Sequence, residues 1–182
     1  NVRNIIFSSS AVVYGNPKYC PIDEKFPLNP LNPYAENKVE IERMLSSFIQ
    51  NHNFKVVNLR YFNPAGAHPS GILGETPKHK ASNLFPSIIN FLREKNNKFE
   101  VYGSDYNTKD GTGVRDYIHI VDLANAHVSA LNYVMSNNYN LDVINFNLGT
   151  GIGVTVLEVI NCFEHALNQK IMIDFVTRRP GD

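Results

Sequence analysis

The chain has 182 residues, 43% hydrophobic and 19% charged, a length and balance that suit one sizeable core or two small ones and exclude a disordered or fibrous chain. Basic and acidic side chains number 17 each with no long block of one sign, so nothing marks a surface for nucleic acid or anionic membrane, and a small molecule is the expected partner. Two cysteines, Cys20 and Cys162, lack metal-ligand spacing and read as reduced structural thiols of a cytoplasmic protein, with no metal site.

No signal peptide or membrane span is evident, and the chain opens without a methionine. It runs at once into Arg3-Asn-Ile-Ile-Phe-Ser-Ser9, which reads as a buried strand, so it is taken as an excerpt from a longer protein. Ser8-Ser-Ser10 and Val12-Val-Tyr-Gly15 follow the strand. Polar residues at a strand's carboxyl end are where open α/β sheets place ligands, although three serines also suit a turn bonded to its own backbone.

After a proline-rich loop, Pro33 to about Gln50 carries Ile41, Leu45, Phe48 and Ile49 at helical spacing, with Asn32 placed to cap the helix and Pro33 at its first position. Lys55 to Phe62 reads as a second buried strand, so strand, helix and strand form a parallel crossover. Residues 63–80 hold Pro64, Gly66, Pro69, Gly71, Gly74 and Pro77 without periodicity and read as a long loop, of a length that in a compact domain is usually functional or mobile. The composition shift near Asn63 places a domain boundary there, dividing residues 1–62 from 63–182.

The next helix spans Leu84 to about Glu94, with Phe85, Ile88, Ile89 and Leu92 on one face and Pro86 near its start. A strand at Phe99–Tyr102 and a polar loop from Gly103 to Asp116 precede a helix from about Val121 to Met135, marked by Ala124, Val128, Leu131 and Met135 and ended by Asn137-Asn138. Val143–Leu148 is a strand; Thr155 and Glu158 form a capping box that opens a helix with Val156, Ile160, Phe163 and Leu167 inward; Ile171–Phe175 is the last strand. Gly149, Gly151 and Gly153 invite a dinucleotide-binding reading, but that pattern wants glycine at its sixth position and Val154 stands there.

The most informative pair is Tyr34 and Lys38, four apart and therefore on one helix face. A tyrosine hydroxyl ordinarily titrates near ~10, so service as a base at neutral pH requires about 4 kcal/mol of stabilisation of the phenolate. An ammonium ~4 Å away supplies roughly that much at an effective dielectric of ~20.

Together the segments resemble the extended short-chain dehydrogenase/reductases, and within them the branch of UDP-glucose 4-epimerases. The matching stretches are Phe7-Ser-Ser-Ser-Ala-Val-Val-Tyr-Gly15, Pro33-Tyr-Ala-Glu-Asn-Lys38, Leu59-Arg-Tyr-Phe-Asn-Pro-Ala-Gly-Ala-His68, Asn83-Leu84, Asp110-Gly-Thr-Gly-Val-Arg-Asp-Tyr-Ile-His119, Asn147-Leu-Gly149 and Arg178-Arg-Pro-Gly-Asp182. The resemblance implies an α/β fold, with residues 1–62 as the C-terminal half of a Rossmann-type NAD-binding domain and 63–182 as most of a UDP-sugar domain. It implies a cytoplasmic homodimer with NAD as cofactor and a UDP-hexose as substrate. Most of the NAD site would lie outside this chain, which alone is expected to be inactive.

The implied reaction inverts C4 of UDP-galactose or UDP-glucose through a transient 4-keto sugar, with hydride passing to and from NAD. The resemblance makes Tyr34 the base, Lys38 its electrostatic partner and a ribose ligand, and Ser10 the relay on the 4-oxygen. It sets Tyr61 and Phe62 beside the nicotinamide, Asn63, Asn83 and Leu84 on the substrate, and Glu100, Val101 and Tyr102 along the uracil. Arg115 and Arg179 would take the pyrophosphate and Asp182 a ribose hydroxyl. Without the resemblance, Arg115 would read as a loop salt bridge with Asp110 or Asp116, and the tyrosines as core packing. Val12 replaces a common threonine, Asn37 replaces a small hydroxyl residue, and His68 and His119 read as structural. Ser10-Ala11 stands where related dehydratases carry Asp-Glu, which disfavours dehydration and decarboxylation. Another UDP-sugar, an N-acetylhexosamine or a pentose, and a non-catalytic nucleotide sensor are the alternatives.

Overall fold

The computed structural model describes residues 2–49, 54–78, 81–94, 98–136 and 143–179. Its contacts form two units, Asn1–Pro64 with Tyr117–Ile152, and Ala65–Asp116 with Gly153–Asp182. A single cut after residue 62 therefore differs from the observed division, because the chain returns to its first unit at Tyr117.

In the first unit, β1 (Asn4–Ser10), β2 (Lys55–Tyr61) and β6 (Val143–Leu148) form a parallel sheet in the order β1-β2-β6. The register pairs Ser10 with Tyr61 and Tyr61 with Leu148, so the three carboxyl ends lie in one row. A short 3-10 turn follows β1 at Ala11–Tyr14, and β3 (Asn63–Ala65) follows β2. Side chains alternate across a strand, so neighbours in the serine run face different helices. Ser9 bonds Glu42 on α1 (Pro33–Ile49), whereas Ser8 bonds His127 on α3 (Ile120–Met135). Helices thus cover both faces of the sheet, the doubly wound arrangement expected from the alternating strands and helices.

The apolar pattern marked the wrong stripe on α3 and was half right on α1, where Ile49 is buried and Leu45 half-buried. On α1 the buried residues are Ala35, Val39, Glu42 and Ile49, while Ile41 and Phe48 are exposed. On α3 they are Leu123, Ala130 and Val134, while Val128, Leu131 and Met135 are exposed. Each helix is apolar on more than one side, and the sheet selects among the sides. Val57 and Leu59 of β2 pack with Ala130 and Val134, flanked by Ile6, Ile144, Phe146 and Leu148. On the other side, Val13, Tyr14, Phe26 and Val39 form a second cluster under the proline-rich loop.

Gly15 ends the 3-10 turn at φ +66°, and a Cβ there would collide with the Asn29 carbonyl oxygen. Asn29 in turn bonds the Val13 carbonyl at 2.9 Å, which ties the loop to the strand end. Gly15→Ala is expected to cost about 1–3 kcal/mol from the backbone conformation alone, with the collision added. A urea midpoint equal to that of the parent protein would contradict this.

In the second unit, β4 (Phe99–Tyr102) pairs in parallel with β8 (Ile173–Val176), which starts two residues and ends one residue later than the sequence placed it. The glycine-rich loop after β4 ends in β5 (Val114–His119), where the pattern had shown only loop; the last three residues of β5 belong to the first unit. β5 pairs antiparallel with β7 (Gly153–Thr155) from Val114–Thr155 to Asp116–Gly153. Neither strand alternates, and their pairing is long-range, so nothing local announces them. α2 (Leu84–Glu94) and α4 (Val156–Leu167) run as expected, although Ile89 and Leu167 are exposed. Both halves of the Thr155/Glu158 capping box are present.

Asp110 anchors the loop to that cap. Its carboxylate accepts from Thr112 N at 2.9 Å, Thr112 Oγ1 at 2.7 Å and Thr155 Oγ1 at 2.5 Å. Burial alone would raise the Asp110 pKa, but the bonds from Thr155 and Thr112 outweigh it and hold the carboxyl below its ordinary value. A depressed carboxylate stabilises the fold above its unfolded pKa of about 3.9, and that contribution is lost as pH falls through the folded value. Asp110→Asn should therefore be less stable than the parent at pH ~7, with the gap shrinking below pH ~4. Urea titrations at both pH values check this, and a gap independent of pH would contradict it.

Cys20 and Cys162 are free and exposed. Among the described residues, no helix is long and apolar enough to cross a membrane.

Candidate active site

The site begins where α1 starts. Asn32 Oδ1 accepts from Ala35 N at 2.9 Å, so Asn32 caps the helix as its sequence foretold, with Pro33 at the first helical position. Tyr34 then projects at the exposed start of the helix, 52% accessible, while Lys38 one turn later is half-buried. Lys38 Nζ donates to the Ser8 carbonyl at 2.8 Å and lies 5.5 Å from the Tyr34 ring centroid and 5.0 Å from that of Phe7. The pair is thus drawn to the carboxyl end of β1, with the ammonium held against the tyrosine face.

Ser10 is buried and caps the 3-10 turn, its Oγ accepting from Val12 N at 3.4 Å, which leaves its hydroxyl hydrogen available to a ligand. Tyr61 is beside it on β2, and Phe62 extends the ladder by donating its N–H to the Leu148 carbonyl at 3.0 Å. Burial pushes the Tyr61 pKa up, the charge on nearby Tyr34 adds to this, and a hydrogen bond with Ser8 opposes it. Ser10, Tyr34, Lys38, Tyr61, Phe62 and Asn63 all fall within the first unit. Val12, where the resemblance expects threonine, is exposed, as is Asn37.

Beneath these residues runs a polar network that apolar patterning could not reveal. Glu42, one turn beyond Lys38, is 4% accessible and receives Arg60 Nη2 at 2.5 Å, Arg60 Nε at 3.0 Å and Ser9 Oγ at 2.6 Å. Arg60 Nη1 continues to Tyr14 Oη at 3.0 Å, and Tyr14 donates to Asn147 Oδ1 at 2.6 Å. Burial alone would lower the Arg60 pKa, but its bonds to Glu42 and Tyr14 hold it above the ordinary value. Burial dominates at Tyr14 and pushes its pKa up despite Arg60. Ser9 is covalently next to Ser10, so the network joins α1 to the strand end that carries the serine.

In the second unit, Arg179 lies over the Tyr102 ring at 3.9 Å, and its Nη1 donates to the Ser82 carbonyl at 2.8 Å. Tyr102 Oη donates to Glu100 at 2.9 Å, and Asn83 Nδ2 to Glu75 at 2.8 Å. The structure therefore gathers Glu100, Tyr102, Arg179 and the chain leading to Asn83 and Leu84 at the start of α2. Val101 is 1% accessible, so its side chain serves the core and only its backbone is left to meet a ligand. Arg115 is on β5 with Nη1 bonded to the Val114 carbonyl at 2.9 Å. Arg178 is committed to Asp105 at 2.7 Å and to the Tyr106 ring at 4.0 Å. Asp182 lies outside the described residues.

His119 caps α3 by accepting from Val121 N at 3.3 Å, and His68 organises its loop by accepting from Ser70 N at 3.2 Å. Both fit the structural reading given to them.

Residues 1–149 match the family described as NAD dependent epimerase/dehydratase. Over its whole length the chain is 46% identical to a UDP-glucose 4-epimerase of Yersinia enterocolitica and 48% identical to that of Bacillus subtilis (strain 168), covering 53% of each. Among solved structures it superposes on a UDP-glucose 4-epimerase of Bifidobacterium longum, in complex with NAD+ and UDP, with a TM-score of 0.91, 46% identity and coverage of 99% of this chain and 53% of the other. The UDP-glucose-4-epimerase of Stenotrophomonas maltophila, with bound NAD and formylated UDP-arabinopyranose, gives 0.92 and 42% over all of this chain and 53% of that one. The chain spans about half the length of the curated relatives it matches. The family match runs unbroken through β1, α1, β2, α3 and β6, the elements that set Tyr34 and Lys38 against the carboxyl ends of the sheet, and on that match the chain belongs to the NAD dependent epimerase/dehydratase family.

Proposed function

We propose that the protein containing this chain interconverts UDP-galactose and UDP-glucose by inverting C4 of the sugar through a 4-keto intermediate. The observation that carries this reading is Lys38, held on the Ser8 carbonyl and facing the exposed Tyr34 ring at the carboxyl end of a parallel sheet. An exposed phenol, an ammonium and a strand-end hydroxyl suit NAD chemically, and Ser10, Tyr34, Lys38, Tyr61 and Phe62 are the residues that would hold it here. When bound, NAD supplies a hydride acceptor and donor for C4.

The remaining work falls to the chain. Tyr34 as phenolate takes the proton of the sugar 4-hydroxyl while C4 is oxidised, and returns it when C4 is reduced on the opposite face. Lys38 presents a fixed positive charge to the phenolate, and Ser10 bonds the 4-oxygen and relays the proton. Asn63, Asn83 and Leu84 contact the substrate, Glu100, the Val101 backbone and Tyr102 line the uracil, and Arg115, Arg179 and Asp182 hold the pyrophosphate and ribose. The family resemblance supports these roles. The Arg179–Tyr102 stack supports placing a guanidinium next to a base-binding surface. Exposed Ile41, Met44 and Phe48 on α1 support a homodimer packed through that helix.

A second reading, a UDP-pentose substrate, is favoured by the Stenotrophomonas maltophila structure, which holds a UDP-arabinopyranose derivative. Incubating the full-length protein with UDP-galactose, without added reductant, and following the sugar by proton NMR tests the proposal. Conversion to UDP-glucose supports it. Conversion of UDP-arabinose alone would move the activity to pentoses, and no conversion of either, with NAD and UDP-sugar bound, would favour a sensor.

A further inference from the structure

Arg178 and Arg179 are consecutive, yet their surroundings differ. Arg178 donates twice to one residue, from Nε to Asp105 Oδ1 at 2.7 Å and from Nη2 to the Asp105 carbonyl at 2.7 Å, and its guanidinium lies 4.0 Å from the Tyr106 ring centroid. Arg179 stacks on Tyr102 and donates to the neutral Ser82 carbonyl, and among the described residues no ion pair engages it. The charge of Arg178 is therefore matched by a carboxylate, whereas that of Arg179 is open to an anion.

The loop that carries Asp105 is itself tied down. Gly103 opens it at φ +78°, where a Cβ would collide with the Tyr106 ring and with Arg178 Cγ, so only glycine lets both pack against this backbone. Gly103 N donates to the carbonyl of Val176, the last residue of β8, at 2.8 Å, and Tyr106 N donates to the Gly111 carbonyl at 2.9 Å. Thr108 Oγ1 donates to the Thr112 carbonyl at 2.7 Å, and Asp110 joins the same loop to the cap of α4. The side chains of Arg178 and Asp105 are 44% and 75% accessible, and so exposed an ion pair contributes little to stability. What the clamp does fix is the course of the chain leaving β8, one residue before Arg179. Ordering a long side chain at the moment of binding weakens affinity, and a backbone already held in place reduces that cost.

We propose, on the reading that Arg179 holds the pyrophosphate, that Arg178 is a positioning residue: clamped by Asp105 and Tyr106, it sets the backbone that presents Arg179 to a nucleoside diphosphate.

Calorimetric titration of the full-length protein with UDP and with uridine, which lacks the phosphates, tests this. Asp105→Ala should weaken UDP about 3- to 10-fold, the cost of ordering one long side chain, and leave uridine unchanged. Removing a carboxylate near the site would by charge alone tighten a diphosphate, so the predicted loss has the opposite sign to a simple electrostatic effect. Asp105→Asn removes the same charge but keeps an oxygen for Arg178 Nε, and should bind UDP within about twofold of the parent or tighter. Arg178→Lys, which keeps the charge without the fork or the planar face, should show the same selective loss as Asp105→Ala. With UDP-galactose, both lossy variants should raise KM and leave kcat nearly unchanged. Arg179→Ala should itself weaken UDP about 10- to 100-fold, and in that background Asp105→Ala should cost nothing more. Parental UDP affinity in Asp105→Ala and Arg178→Lys, equal losses for UDP and uridine, equal losses in Asp105→Ala and Asp105→Asn, or an undiminished loss in the Arg179→Ala background would overturn the proposal and leave the pyrophosphate reading standing. Parental UDP affinity in Arg179→Ala would overturn that reading, and the positioning role with it.

Discussion

Tyr34→Phe in the full-length protein is expected to lower turnover of UDP-galactose about 10²- to 10⁴-fold, the range that a positioned general base contributes. The substitution removes one oxygen and keeps the ring. The Lys38 ammonium, 5.5 Å from the ring centroid, retains its bond to the Ser8 carbonyl, and the helix cap at Asn32 is untouched. The ring is more than half exposed, so little packing depends on the hydroxyl. The uracil and pyrophosphate are assigned to other residues, so UDP affinity should stay within about twofold, the signature of an interaction made only in the transition state. Progress curves with calorimetric titration of UDP separate the two effects. Near-parental turnover would refute the base assignment, and a parallel loss of UDP affinity would point to a binding role.

Glu42→Ala should produce the largest change in stability, about 3–5 kcal/mol, because it leaves the Arg60 guanidinium buried without its carboxylate. Ser9 loses its acceptor in the same step. Arg60→Ala strands Glu42 in the same way. Combining the two should cost less than the sum of the singles, since neither charge is then left unpaired. Urea denaturation of the four proteins gives the cycle. Strict additivity would mean that the pair does not act as a unit. The network also spans the start of the site, so turnover should fall along with stability.

The parts of this site that were legible in the sequence are local. Tyr34 and Lys38 share a helix face because of their spacing, Asn32 and Pro33 fix where that helix starts, and Thr155 with Glu158 spells out a cap. Glu42 was invisible for the opposite reason: periodicity scores a carboxylate as surface, and its partner Arg60 arrives from a strand 18 positions away. His127 sits in a helix whose more apolar residues, Val128, Leu131 and Met135, turn out to face solvent. The short strands β5 and β7 depend on each other, and the return of Tyr117–Ile152 to the first unit is a property of the whole fold. Taken by itself, the serine run read as a turn bonded to its own backbone ahead of a ligand site. In the structure its members divide by parity, with Ser9 bonded beneath α1 and Ser8 bonded beneath α3, while Ser10 caps the turn after the strand.

The most direct test of transient oxidation is the fate of the C4 hydrogen when the full-length protein equilibrates UDP-galactose with UDP-glucose in D2O. Hydride removal and return predicts that C4 keeps its protium in both sugars, read as an undiminished H4 resonance. Deuterium at C4 would mean that the hydrogen leaves as a proton and exchanges with solvent, which would contradict the mechanism.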